Sequence, residues 1–238
     1  MILDVGTGSG RQCIQYAANG GNVYGVDVAM KFLRVARYKA SLRRLRVEFV
    51  ASDGCALPFR DEGFDLVACC GSVLNYCEDF RLAVHEFSRL LKRGGTLVVS
   101  FDSSVSLNLR WNRLATRIRA RIISESSSSP QGPVPMSRNA TVFYPMVTKN
   151  SGTWLVPETF IAPSDLISTL RREGFMLVSV TGIHILSGLM PYTALSNPNA
   201  GNMVRTVGKS LSRLDTFLKH TPIIKGLADH IALIATKS

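Results

Sequence analysis

The 238-residue chain reads as an α/β protein, a mostly parallel sheet flanked by helices. Three observations predict this class. Short apolar segments alternate with helical patterns through the first hundred residues. The first strand runs straight into a glycine-rich turn that opens a helix. The next two strands are each followed at once by an aspartate, Asp27 and Asp53, where open α/β sheets bind ligands.

Met1 to Gly10 organises the rest. Ile2, Leu3 and Val5 suit a strand buried on both faces. Gly6, Gly8 and Gly10 let the backbone approach a ligand, and the helix predicted over 11–19 points its free N–H groups at the same place. The spacing is G-x-G-x-G preceded by an acid. The dinucleotide fingerprint is G-x-G-x-x-G, and Arg11 stands where its third glycine belongs, which argues against NAD.

Residues 22–26 form a second strand ending on Asp27, placed to accept hydrogen bonds from ribose hydroxyls and, at the same time, to cap the helix over 30–43. Residues 47–51 are the third strand, with Asp53-Gly54 after it, and 64–70 the fourth. A helix over 78–91 aligns Phe80, Val84, Phe87 and Leu91 on one side. Its Lys92-Arg93-Gly94-Gly95 ending suits a cationic, glycine-capped C-terminus, and 96–101 is a fifth strand. Leu107, Trp111, Leu114, Ile118 and Ile122 then make an apolar stripe beside a basic one, an amphipathic helix over 107–122. The Ser/Pro-rich stretch 124–139 is a loop by composition. Residues 141–144 and 153–156 are extended, with Tyr144 and Trp154 as candidate walls for a flat acceptor. A helix over 165–173, a sixth strand over 176–183, a basic helix over 204–219 and a last strand over 229–235, antiparallel at the sheet's edge, complete the chain.

The motifs converge on one family. Asp4-Val-Gly-Thr-Gly-Ser-Gly10, the D-x-x-x-L-P-F-x-D-x-x-F-D wording of Asp53 to Asp65, Arg89 to Gly95, and the P-S-D-L-x-x-x-L-x-x-x-G-F of Pro163 to Phe175 resemble class I S-adenosylmethionine (SAM)-dependent methyltransferases. The resemblance is greatest to the broad group that includes quinone-biosynthesis and natural-product enzymes. It implies a Rossmann-like, mostly parallel seven-stranded sheet over 1–238 as a single domain, with lid or cap insertions at 104–162 and 186–226. It implies SAM as cofactor and S-adenosylhomocysteine as product. Asp4, Gly6, Thr7, Gly8 and Gly10 then belong to the cofactor loop, Asp27 and Val28 to the ribose, Asp53 and Gly54 to the adenine, and Gly71 to the methionine half. Asn75 and Tyr76 begin the acceptor pocket. The family carries one or two helices ahead of its first motif, whereas here the first strand begins at Ile2.

Composition narrows the alternatives. Hydrophobic residues make up 46% of the chain and mean hydropathy is +0.14, yet no apolar run reaches the ~18 residues of a membrane span. With no secretory signal and five cysteines lacking zinc spacing, the expectation is a cytoplasmic protein with reduced thiols and no metal. The net charge is +11. Lys31, Arg34, Arg37, Lys39, Arg43, Arg44 and Arg46 precede the next acid, Glu48. Such runs attract RNA, acidic lipid surfaces or anionic substrates, or are solvated helix faces. The partner that the family resemblance implies is a small-molecule acceptor with a nucleophilic oxygen, nitrogen or carbon. RNA, peripheral membrane contact through 107–122, and a SAM-binding module without turnover are the alternatives. The local motifs of amino-directed nucleic-acid and cytosine C5 methyltransferases are missing. His184 and Asp102, at strand ends, are the candidate bases; His85 reads as structural.

Overall fold

Why β1 (Ile2–Val5) takes an interior place in the sheet follows from its side chains: Leu3 and Val5 are fully buried, and it pairs in parallel with β2 (Val23–Asp27) on one side and β4 (Phe64–Cys69) on the other. The computed structural model describes residues 1–110, 139, 141–148, 152–187, 202–219, 221 and 224–238. Parallel pairing continues from β2 to β3 (Val47–Ala51) and from β4 to β5 (Leu91–Asp102). With β8 (Phe175–Ile183) and β9 (His230–Lys237) the sheet has seven strands, in the order β3-β2-β1-β4-β5-β9-β8. The last strand is thus inserted between β5 and β8, and β8 takes the edge that sequence order assigns to the last. A separate antiparallel pair joins β6 (Thr141–Thr148) to β7 (Gly152–Thr159).

The helices bury one stripe each. In α1 (Arg11–Ala18) Cys13 and Ile14 are buried, and in α2 (Met30–Leu42) Leu33, Ala36 and Ala40 are. These residues pack with Val23 and Phe49 into one cluster on the sheet. Tyr24, Phe59 and Phe64 meet edge-on, with centroids 5.2–5.8 Å apart, the geometry aromatic quadrupoles favour. Helix α3 (Phe80–Leu90) is capped by Asp79, whose carboxylate accepts from Arg81 N at 2.9 Å. Phe80, Val84, Phe87 and Leu91 are all buried, as their spacing requires. α4 (Pro163–Arg172) buries Leu166 and Leu170.

Two boundaries differ from the sequence expectation. α3 ends at Leu90, and Leu91 is already extended and paired with Phe64. The next matched pair is Leu66 with Thr96, so residues 92–95 bulge opposite Asp65, and Gly94 supplies the left-handed φ of 74° that the bulge needs. Lys92-Arg93-Gly94-Gly95 is a strand bulge rather than a helix cap. Asp27 likewise does not cap α2. That position is Ala29, and the Asp27 carboxylate accepts the Ala29 N–H from outside the helix.

The chain divides into two compact units, residues 1–101, 164–179 and 232–238 in the first, and residues 102–163 and 180–231 in the second. The second holds the β6–β7 pair and α5 (Asn202–Leu218). Of the predicted helix over 107–122, residues 107–110 are helical. The rest of it, and the predicted loop up to Asn139, lie outside the described residues. Among the described residues no helix is long and apolar enough to cross a membrane.

Arg89 fastens the segment after β3 to α3. Its guanidinium donates to both Glu86 oxygens at 2.8 Å, to Asp61 Oδ1 at 2.7 Å, and to the carbonyls of Phe59 and Leu57 at 2.8 and 3.0 Å. Glu86 also accepts Leu57 N, and Arg89 holds its carboxyl below the usual range. Arg89→Met is expected to cost about 2–3 kcal/mol, since partly buried charged hydrogen bonds are lost at once. That is a Tm lower by roughly 5–10 °C, readable by circular dichroism. Arg89→Lys should recover only part of it, because an ammonium cannot reproduce the fork.

Candidate cofactor site

The carboxyl ends of β1, β2 and β3 enclose a cavity of about 210 Å³ in the first unit. Its lining includes Val5, Gly6, Val26, Asp27, Val28, Ser52, Asp53, Gly54, Val73 and Tyr76, followed by Cys77 and Glu78. Five of the sequence candidates for cofactor binding (Gly6, Asp27, Val28, Asp53 and Gly54) meet there, and so does Tyr76. This is where open α/β sheets hold ligands.

The loop is fixed from below and from the side. Gly6 N and Thr7 N both donate to Val26 O, at 2.8 and 2.9 Å. Gly6 has φ 72°, and a Cβ there would lie 2.2 Å from Val73 Cγ2. No other residue fits between the loop and the 3₁₀ turn Val73–Tyr76. Asp27 Oδ2 accepts Gly8 N at 2.8 Å and Oδ1 accepts Ala29 N at 2.8 Å. One carboxylate therefore joins the glycine loop to the start of α2, and each oxygen retains acceptor capacity towards the cavity.

Asp4, Thr7, Gly8 and Gly10 are not in the lining. Asp4 is 2% exposed. Thr7 Oγ1 donates to Cys13 Sγ at 3.1 Å and Cys13 Sγ to Asp4 Oδ2 at 3.4 Å, a chain that holds the loop onto α1. Burial raises the Asp4 pKa, and the hydrogen bonds from Thr7 and Cys13 partly offset it. Gly10 precedes α1 against Ala36. Gly71 N donates to Ser100 Oγ at 2.9 Å, and Asn75 is 1% exposed with its N–H on Ser72 O. Neither reaches the lining. Val73, Cys77 and Glu78 do, although the sequence offered no polar or spacing signal for Val73 and Cys77.

In the second unit Asp102 Oδ1 bonds His230 Nδ1 at 2.9 Å, across 128 positions of sequence. Glu158 adjoins Asp102, and its pKa is raised to about 7, first by burial and then by the Asp102 charge and hydrogen bond. Such a group binds a proton more tightly in the folded state, so folding stability is expected to fall as pH rises from about 4.5 to 7. Glu158→Gln should flatten that slope in urea unfolding at pH 5 and pH 8. His184 has φ 57°, with Nδ1 3.0 Å from Ser187 Oγ. Ser187 Oγ spends its hydrogen on Asp215 Oδ2 at 2.6 Å, so it accepts from His184 Nδ1–H, and Nε2 is the ring nitrogen left for another partner. His85 is exposed and meets Glu173 at 3.0 Å, a surface contact. Of Tyr144 and Trp154 the backbone is described: they lie on β6 and β7, paired with Val156 and Met146.

A glycine loop, two strand-end aspartates and an apolar wall around one cavity are the arrangement in which open α/β proteins hold nucleotide ligands. The comparisons make the class specific. Residues 3–99 match the family described as "Methyltransferase domain". A demethylmenaquinone methyltransferase of Thermus thermophilus is 41% identical over 100 residues, 41% of this chain and 45% of that protein. One from Renibacterium salmoninarum is 31% identical over 141 residues, 58% and 57% of the two chains. The chain thus spans about half the length of the curated relatives it matches. A SAM-dependent methyltransferase structure from Methanosarcina mazei aligns over 99% of this chain and 91% of that one, with TM-score 0.62 and 19% identity. The chain is built on the class I SAM-dependent methyltransferase fold, and residues 3–99 match the methyltransferase-domain family.

SAM is the cofactor of this class, and the site's own geometry fits its nucleoside end. Gly6 leaves space that a Cβ would close. Asp27 offers carboxylate oxygens to a vicinal diol, and Asp53, whose Oδ1 accepts Cys55 N at 2.9 Å, retains capacity for an amino donor.

Proposed function

We propose that this chain moves a methyl group from SAM to a nucleophilic oxygen, nitrogen or carbon of a small-molecule acceptor by in-line displacement, leaving S-adenosylhomocysteine. The observation that supports it most is the Asp27 carboxylate, held at the cavity by Gly8 N and Ala29 N beside Asp53. The bound cofactor supplies an electrophilic sulfonium methyl. The protein's part is to orient: Asp27 and Asp53 fix the nucleoside, and the Thr7–Cys13–Asp4 chain keeps the loop in place. Positioning of this kind carries much of the acceleration in a displacement that needs little acid–base help. For an acceptor that holds its proton at neutral pH, His184 through Nε2 or Asp102 with its partner His230 is the group we assign to take it. Tyr76, on the lining of the cavity, is assigned to the acceptor, with Asn75 buried in the same turn.

The names of the Thermus and Renibacterium relatives favour an aromatic, quinone-like acceptor. RNA as acceptor rests on charge alone and is not favoured. The test is incubation with methyl-labelled SAM and a panel of reduced naphthoquinols, catechols and amines, followed by organic extraction. Label in the naphthoquinol fraction supports the reading. Label in none, from protein that binds S-adenosylhomocysteine, would reduce the chain to a binding module.

A further inference from the structure

The outward face of α2 is not the polar surface that an ordinary sheet-flanking helix presents. Phe32, Val35, Tyr38 and Leu42 are 55%, 44%, 64% and 66% exposed. Their spacing of three, three and four places them in one stripe, opposite the buried Leu33, Ala36 and Ala40. Single exposed apolar residues are ordinary, but a stripe of large ones on one helix marks a surface that something covers.

The charge around the stripe says what. Lys31, Arg34, Arg43, Arg44 and Arg46 are exposed beside it, and between Asp27 and Glu48 there is no acid. Arg37 and Lys39 are engaged locally, on Phe49 O and on Ser9. A second copy laid on this face would bring like charges together. RNA would use the cations and stack on rings, and would leave Val35 and Leu42 without a role. An anionic lipid surface uses both sets, the cations on headgroups and the apolar stripe in the acyl boundary.

We propose that α2 is the docking face of this protein for an anionic membrane surface. The stripe begins close in sequence to the cofactor cavity: Val28, four residues before Phe32, lines that cavity and is 71% exposed. Docking through α2 therefore sets the cavity rim close to the headgroups, where a lipophilic small molecule is concentrated. The inference goes beyond methyl transfer and stands whether or not an acceptor is found.

The test is co-sedimentation of the whole chain with phosphatidylcholine vesicles, with and without about one-third phosphatidylglycerol, at low and near-physiological salt. The expected result is binding to the anionic vesicles only, weakened by salt. Phe32→Ser/Leu42→Ser and Arg34→Glu/Arg43→Glu should each lower the partition coefficient at least about tenfold. All four positions are exposed, and unchanged thermal melting certifies the fold. S-adenosylhomocysteine titration of the same samples is read separately, so loss of cofactor binding and loss of docking are distinguishable. Absence of wild-type binding to anionic vesicles at low salt overturns the proposal. So does full binding by the serine variant, which would make the attraction merely electrostatic. A single-stranded RNA bound in preference to vesicles, or a dimer dissolved by the serine variant without vesicle binding, assigns the face elsewhere and also overturns it.

Discussion

Gly6→Ala is expected to destabilise the first unit and to abolish measurable cofactor binding. Two costs combine at this position. The backbone sits at φ 72°, and a side chain held there costs about 1–3 kcal/mol. The new Cβ would also meet Val73 Cγ2 at 2.2 Å and Cγ1 at 2.8 Å, so the 3₁₀ turn must shift, at roughly 1–3 kcal/mol for overpacking. Both displace the loop that carries the Gly8 N–H to Asp27. Gly6→Ala/Val73→Ala should recover most of the steric part, since only the Cβ of residue 73 remains, 3.0 Å away, and leave the conformational part. Gly8→Ala, with φ 54° and nothing within 4 Å of its Cβ, should show the conformational cost alone, about 1–2 kcal/mol. Urea unfolding measures all three. A Gly6→Ala protein as stable as the wild type would mean that the loop and the turn are not packed as described.

Asp27→Ala is expected to weaken S-adenosylhomocysteine binding by about ten- to a hundredfold, the loss of hydrogen bonds to a charged acceptor worth on the order of 1.5–3 kcal/mol. The same variant leaves Gly8 N and Ala29 N without their acceptor, so part of the loss arises from a looser loop. Asp27→Asn removes the charge and one of the two acceptors that tie the backbone. It retains one oxygen acceptor, and its affinity should fall between those of the wild type and Asp27→Ala. Asn affinity equal to wild type would restrict the side chain to a structural tie.

The first unit was legible because its signals are local. Glycine spacing, the buried Leu3 and Val5, and an acid at each strand end lie within a few residues of the structure they specify. The α3–β5 boundary was not, because a positive-φ glycine after cations reads the same in a helix cap and in a strand bulge; only the pairing of Leu91 with Phe64 decides. Val73 was missed for a related reason. An apolar side chain becomes part of the site by filling the space that Gly6 leaves, and nothing in its own identity says so. Asp102 was picked out at its strand end, yet its partner His230 lies at the start of the last strand, and no spacing rule joins positions that far apart. The place of β9 between β5 and β8 is likewise a matter of sheet order, which sequence order does not encode.

Calorimetric titration of the wild-type chain with S-adenosylhomocysteine, beside NAD⁺ under the same conditions, tests the nature of the cavity most directly. Saturable binding of S-adenosylhomocysteine in the micromolar range with no heat from NAD⁺ is the expected result. Binding of NAD⁺ in preference, or wild-type affinity for S-adenosylhomocysteine that Asp27→Ala leaves unchanged, would contradict the assignment of this cavity to SAM.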